Sequence, residues 1–303
     1  MYTLIVNPTA GRGAASQLIE KVEGLLKERG LDYAIHFAAE SKDTVRIART
    51  LAAEHPEGII ALGGDGTLFE IINGMIGSDV PLLFVSCGTG NDFVRSLKLP
   101  KDPLEALRQQ LDAPIGRIDV GRMNDLYFLN VAGTGFDVDV LRNAEKYKAK
   151  YTGLRTYLFG LFDAIRDFRP ITAQVSFDGG PEEETTFSIL SIGNGRYIGG
   201  GMKAVPDAKV DDGLFDVVTV RPVSKPVIAL LIAIYIAGKH VKVGLGRLRR
   251  CRKLSIRRPG MTVNLDGELF STDHARFELL PNALCVRVPG IEAAKVSAKP
   301  HTA

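Results

Sequence analysis

The sequence is poor in sulfur and histidine ligands, has no long apolar run, and carries no excess of charge of one sign. Its 303 residues hold three cysteines, Cys87, Cys251 and Cys285, with no CxxC pair. That spacing excludes a disulfide framework and a cysteine zinc site and fits a reducing compartment. The five histidines show no HExxH and no other ligand spacing, so no chemistry is assigned to them. A formal charge of +3 and a pI near 8.7 are too mild to argue for nucleic acid. The apolar run Val227 to Ala237 falls well short of the roughly 20 residues that a membrane span needs. The opening MYTLIVNPTAGRG has neither a basic n-region nor an apolar h-region, so no signal peptide is read and cytoplasmic residence is expected. GxxxxGK[ST] is missing as well, which excludes a P-loop, and there is no internal repeat.

What is present is an ordinary globular composition, 45% apolar and 24% charged, on a chain long enough for two domains. Up to about residue 125, short β-type runs alternate with amphipathic helical segments, the pattern of a parallel sheet with helices on its faces. The expected strands are Thr3 to Val6, Tyr33 to Phe37, Ile59 to Leu62 and Leu82 to Val85. Leu18, Val22, Leu25 and Leu26 share one helical face, as do Val45, Ile47, Ala48, Leu51 and Ala52. Beyond residue 126 the segments are mostly β-type and read as antiparallel sheet. Two helices interrupt them, one with Leu154, Tyr157, Leu158, Leu161, Phe162 and Ile165 on one stripe, the other the apolar PVIALLIAIYIAGKH. The second is expected to be a buried core helix in preference to the lining of a lipid pocket.

Three times in the first half a strand empties into a loop of glycine and small polar residues before a helix: NPTAGRG, GGDGT and CGTGNDF. In a parallel sheet such loops lie together at the carboxyl ends of the strands, where open α/β folds bind ligands. Glycine lets backbone N–H groups approach a ligand closely, and a helix N-terminus adds about half a positive charge, which together suit phosphate. An acid in that setting, Asp65 or Asp92, either holds Mg2+ directly or through water, or caps a helix. Arg12 reads as a phosphate-facing cation or as a solvated surface arginine.

NPTAGRG, GGDGTLFEIINGM, CGTGNDFVRSL, DDGLFDV and VNLDGE, in this order and spacing, resemble the diacylglycerol kinase-like lipid kinases, a superfamily that includes bacterial diacylglycerol kinases, sphingosine kinases and ceramide kinases. The likeness runs from Leu4 to about Pro289. It implies an α/β protein with a Rossmann-like three-layer nucleotide domain, similar to those of NAD kinases and phosphofructokinases, and a mainly antiparallel β-sandwich domain. The expected division is residues 1–125 with a returning segment at about 285–303, and 126–284. By the same resemblance ATP would meet Asn7, Arg12, Gly63, Gly64, Asp65, Gly66, Thr67, Leu68, Phe69, Thr89, Asn91 and Asp92. Asp65 would stand nearest the Mg2+ chemistry. Glu268 would be the general base that takes the proton from a lipid hydroxyl.

The resemblance also implies a structural Mg2+ held by the Asp212 carboxylate and the carbonyls of Lys209 and Leu214. Read without it, Asp-Gly there is β-turn chemistry. Two departures from the family pattern stand out: Phe69, where asparagine is frequent, and the pair Ala38 and Ala39, near which a threonine is common. The expected reaction is ATP-dependent phosphorylation of diacylglycerol to phosphatidate. The alternatives are another lipid alcohol such as a sphingoid base or ceramide, NAD, and a non-catalytic membrane-surface regulator. The basic cluster from Lys239 to Arg258 reads either as a peripheral contact for an anionic membrane or as a blunted strand edge. Oligomeric state stays open, a homodimer included.

Overall fold

The structure is a computed structural model that describes residues 1–38, 41–147 and 154–292. Its first half alternates strand and helix: β1 (Tyr2–Val6), α1 (Ala14–Glu28), β2 (Tyr33–Phe37), α2 (Ser41–Ala53), β3 (Gly58–Gly63), α3 (Asp65–Met75), β4 (Leu82–Ser86), α4 (Asp92–Ser96) and α5 (Pro103–Asp112). The four strands are parallel, in the order β4-β3-β1-β2. Strand β1 is an unbroken buried run because both of its faces are covered. Leu4 and Val6 pack with Val22 and Leu26 of α1, while Ile5 points the other way, to Ile71 and Ile72 of α3. That alternation makes three layers.

The second half contains β5 (Ile115–Met123), β6 (Leu126–Phe128), β7 (Val131–Gly135), α6 (Phe136–Tyr147), α7 (Leu154–Asp167), β8 (Ile171–Phe177), β9 (Glu183–Phe187), β10 (Ile189–Gly193), β11 (Phe215–Val220), α8 (Lys225–Ile236), β12 (Gly246–Cys251), β13 (Lys253–Leu265) and β14 (Glu268–Arg287). Its ladders are antiparallel, over a core that includes Phe128, Phe187, Phe215 and Phe277. Strand β14, 20 residues long, ties the halves together. It pairs with β13 and β5, and Val286 then lies parallel to Leu82 of β4. Its register slips between Leu280 and Leu284, across Pro281, which has no N–H to give to a ladder.

Two helical expectations need correction. Phe162 of α7 is 67% exposed although Leu161 and Ile165 pack inward; the side chains of Leu154, Tyr157 and Leu158 lie outside the described residues. Helix α8 is not a buried core helix. Ile228 and Tyr235 are buried, but Val227, Leu230 and Ile236 face outward. Only one stripe of α8 meets the sheet, since the helix lies on the outside of the antiparallel half.

Candidate active site

The three glycine loops touch. Gly11, at φ +60°, sits so close to the third loop that a Cβ there would stand 2.0 Å from the Cys87 carbonyl oxygen. Gly64 and Gly88 meet backbone to backbone: a Cβ on Gly88 would lie 2.9 Å from the Gly64 Cα. Only glycine permits both approaches. Thr67 folds over Gly63, and the Cys87 N–H donates to the Gly63 carbonyl at 2.9 Å. Asn7 closes the first loop, its Oδ1 accepting from the Thr9 N–H at 3.1 Å and the Thr9 hydroxyl at 2.8 Å. Thr89 is exposed on the third loop, and Asn91 after it takes φ +51° with its buried Oδ1 lacking a hydrogen-bond partner. The Arg12 side chain lies outside the described residues.

Asp65 opens α3 without capping it. Its carboxylate instead reaches across to the next helix, where Oδ1 accepts the N–H of Asp92 at 3.0 Å and of Phe93 at 3.4 Å. Asp92 acts in turn on a fourth loop, since its Oδ2 accepts the Gly200 N–H at 2.8 Å and its Oδ1 pairs with Arg95. Burial raises both carboxyl groups above their usual range, Asp92 to about 6, and the Asp65 charge adds to the rise at Asp92. A pocket of buried negative charge at the mouth of amide-lined loops favours a cation between it and any phosphate.

The β13–β14 hairpin brings Glu268 to this place. Its turn is Asp266–Gly267, both at positive φ, the geometry a two-residue hairpin demands. The Asp266 carboxylate accepts three N–H groups, Leu129 at 2.7 Å and Asn130 and Val131 at 2.9 Å each. Burial pushes it up to about 7 against those donors, helped by the Asp65 charge. Pinned this way, the hairpin sets Glu268 beside the second glycine loop: a Cβ on Gly66 would stand 3.3 Å from Glu268 Oε1. Glu268 is thus brought against the residue that follows Asp65, although the two acids lie 203 positions apart in the chain.

Leu68 and Phe69, expected among the nucleotide contacts, are core residues. Phe69 packs against Phe270, centroids 5.8 Å apart, and the Leu68 N–H already bonds the Gly64 carbonyl. They seat α3 under the loop. Ala38 is buried too, while Ala39 lies outside the described residues.

Lys209, Asp212 and Leu214 stand in a turn before β11. Asp212 Oδ1 accepts the Leu214 N–H at 3.2 Å, and Asp119 of β5 clamps the turn through the Gly213 N–H at 2.7 Å. Asp119 is raised by burial and by the Asp212 and Asp211 charges. Asp216 Oδ2 is buried with no hydrogen-bond partner, and Arg250 Nε supplies the nearby positive charge, 2.7 Å from Asp216 Oδ1. This all-oxygen donor set is the kind a hard divalent cation takes. Among the described residues no three Asp, Glu, His or Cys side chains converge as a metal cage. The two backbone carbonyls would therefore have to complete any such site.

Comparison with known proteins covers both halves. The profile of the diacylglycerol kinase catalytic domain matches residues 1–123, and that of the YegS C-terminal NAD kinase beta sandwich-like domain matches 130–288. A protein of Chromohalobacter salexigens named "Probable lipid kinase YegS-like" is 32% identical, over 94% of this chain and 92% of that one. The chain belongs to the diacylglycerol kinase-like lipid kinase family. A Mycobacterium tuberculosis relative named diacylglycerol kinase is 29% identical, over 95% of this chain and 94% of its own. A solved structure from Bacillus anthracis, described as a candidate diacylglycerol kinase, superposes with a TM-score of 0.78 at 28% identity, over 96% of each chain. An Archaeoglobus fulgidus NAD kinase solved with ATP shares the fold, with a TM-score of 0.52 at 12% identity, over 95% of this chain and 93% of that one.

Within this family frame, sequence reasoning missed three parts of the site. Asp266 lies in the VNLDGE motif as the Asp of an Asp-Gly turn, and its side chain anchors the hairpin. The Gly199–Gly201 run, all at positive φ, forms the loop that Asp92 holds. Arg95, three residues after Asp92, pairs with it and lies 5.6 Å from the Tyr197 ring centroid. Three consecutive glycines after a strand, and an arginine at i+3 from a loop acid, were the available signals.

Proposed function

We propose that the protein transfers the γ-phosphoryl group of ATP to a hydroxyl of a membrane lipid, diacylglycerol in the first instance, giving phosphatidate. One observation carries this: the Glu268 carboxylate lies against Gly66, the residue after Asp65, at the start of α3, where the three glycine loops touch. In this reading the loop N–H groups of residues 63–67 and 88–91 hold the phosphates, and the acceptor hydroxyl enters on the Glu268 side. Glu268 takes the hydroxyl proton as the new O–P bond forms and the bond between the β- and γ-phosphates breaks, ADP leaving. Mg2+ bound with the nucleotide would neutralise phosphate charge, with Asp65 reaching it directly or through water; Asp212 with the Lys209 and Leu214 carbonyls would hold a second, structural ion. Most of the acceleration comes from position and charge neutralisation.

No helix among the described residues is long and apolar enough to cross a membrane. A bilayer acceptor would therefore be reached from the surface. Labelled ATP offered with mixed micelles of diacylglycerol, a sphingoid base or ceramide, and separately with NAD, tests the assignment. Phosphatidate is the expected product. Formation of NADP, or no transfer to any lipid, would refute it.

A further inference from the structure

The outer face of α8 is apolar where a surface helix is normally polar, and Phe162 of α7 is exposed as well; Arg166 and Asp167, exposed at the end of α7, pair with each other. Phe162 is 67% exposed, Leu230 65% and Val243, in the turn after α8, 54%. Along α8, Pro226, Ala229, Leu230, Ala233 and Ile236 recur at helical spacing on the exposed side. The opposite side, with Ile228 and Tyr235, packs in the same core as Ala164 and Phe168 of the α7 region. The Lys225 ammonium donates to the Arg166 carbonyl, so the start of α8 abuts the end of α7. Helix α8 thus buries one face and presents a second, apolar face outward, with the exposed Phe162 of the neighbouring helix α7.

Charge identifies what covers it. Residues 217–265 contain eleven lysines and arginines and no aspartate or glutamate. Much of the basic run beyond α8 is engaged within the protein. Arg249 lies 4.0 Å from the Phe177 ring centroid, Lys253 Nζ lies 3.1 Å from Glu278, and Arg257 pairs with Glu182 at 3.4 Å. Lys239 and Lys242, by contrast, are exposed at the end of α8, next to its apolar face. Two copies of this face brought together would oppose like charges, whereas an anionic lipid surface complements them. Helix α8 has 12 residues and is about 18 Å long, against about 30 Å of hydrocarbon, so it is too short to span a bilayer and could meet one only along its interface.

We infer that the α7–α8 face is a membrane-docking surface, in which Phe162, Leu230, Ile236 and Val243 enter an anionic phospholipid bilayer under a rim of Lys239 and Lys242. It rests on the proposed function only for why docking would serve turnover; docking itself is measured without it. The full chain is sedimented with vesicles containing phosphatidylglycerol and with neutral phosphatidylcholine vesicles. Wild type should bind the anionic vesicles, less so at high salt. Phe162→Glu and Leu230→Glu should each weaken binding at least about tenfold, the worth of burying one large apolar side chain. Replacing Lys239 and Lys242 by alanine should cost about fivefold per lysine on anionic vesicles only. Ile115→Glu, at an exposed apolar position at the start of β5, is the control and should bind as wild type. Binding unchanged in the α7–α8 variants overturns the inference. So does a wild-type dimer that Leu230→Glu converts to monomer, which would make the face a contact between copies. Loss of activity by Leu230→Glu on a dispersed short-chain acceptor overturns it too, by placing the face in the acceptor pocket. Vesicle binding of the expected pattern without transfer to any lipid would instead sink the proposed activity and leave the docking surface standing.

Discussion

Replacing Asp65 separates its structural work from its chemistry. Asp65→Asn keeps an oxygen where Oδ1 now accepts the Asp92 N–H at 3.0 Å and the Phe93 N–H at 3.4 Å, and removes only the charge. The start of α4 should stay anchored, with stability at neutral pH within about 1 kcal/mol of wild type. Asp65→Ala strands both donors and should cost about 1–3 kcal/mol. The pH dependence has a definite sign. Burial raises the folded-state pKa of Asp65, so above the ordinary carboxylate range the folded protein binds more protons than the unfolded chain. Its contribution therefore makes wild type less stable as pH rises through that window. Asp65→Asn lacks the group, so it should gain on wild type in urea unfolding as pH rises above the ordinary carboxylate range. Turnover should fall at least about a hundredfold in both variants, since the charge beside the phosphates is gone. An Asp65→Asn protein that turns over like wild type would show that the residue is a helix anchor and no more.

Four further outcomes follow from the same geometry. Glu268→Ala should leave nucleotide affinity nearly unchanged in a binding titration and lower turnover at least about a hundredfold, as loss of a general base does; equal turnover would remove it from that role. Asp92, pushed up to about 6, should lose its proton when Mg-ATP binds. Calorimetry near that pH should then report proton release, seen as a binding enthalpy that changes with buffer. Asp266→Ala removes the acceptor of three N–H groups and should cost about 2–4 kcal/mol. It should lower kcat more than nucleotide affinity, because the hairpin carries Glu268. Gly11→Ala puts a Cβ 2.0 Å from the Cys87 oxygen at φ +60°, and should weaken nucleotide binding by prising the first loop from the third.

The parallel half was legible because local patterns determined it. Runs such as Leu4 to Val6 and Ile59 to Leu62 are apolar on both faces, and the helices between them repeat at near-3.6 spacing, so strand and helix separated cleanly. Helix α8 was misread for the opposite reason. An apolar helix looks the same to its own sequence whether buried on every side or on one, and only the sheet it packs against reveals Leu230 as exposed. Phe69, a large apolar residue where asparagine is frequent, packs into the core against Phe270, as its bulk in place of asparagine suggests.

The acids show where sequence reasoning stops in physical terms. For Asp65 the sequence offers a cation ligand or a helix cap as alternatives. The structure joins them: the carboxylate anchors α4, and that anchorage is what holds it, partly desolvated, beside Asp92 and the glycine loops. Bonds from the Asp92 and Phe93 N–H groups favour its charged form, so the same contacts that fix α4 offset part of the burial that opposes that charge. Asp92 repeats the device against Gly200, and Asp266 against Leu129, Asn130 and Val131. Each buried acid is tethered by backbone N–H groups of a segment remote in sequence, over separations of 27, 108 and up to 137 residues. A charge held this way costs stability at neutral pH, which a fold under selection for stability alone would shed. Local sequence windows could not see these acids at work, because none of the tethers is local.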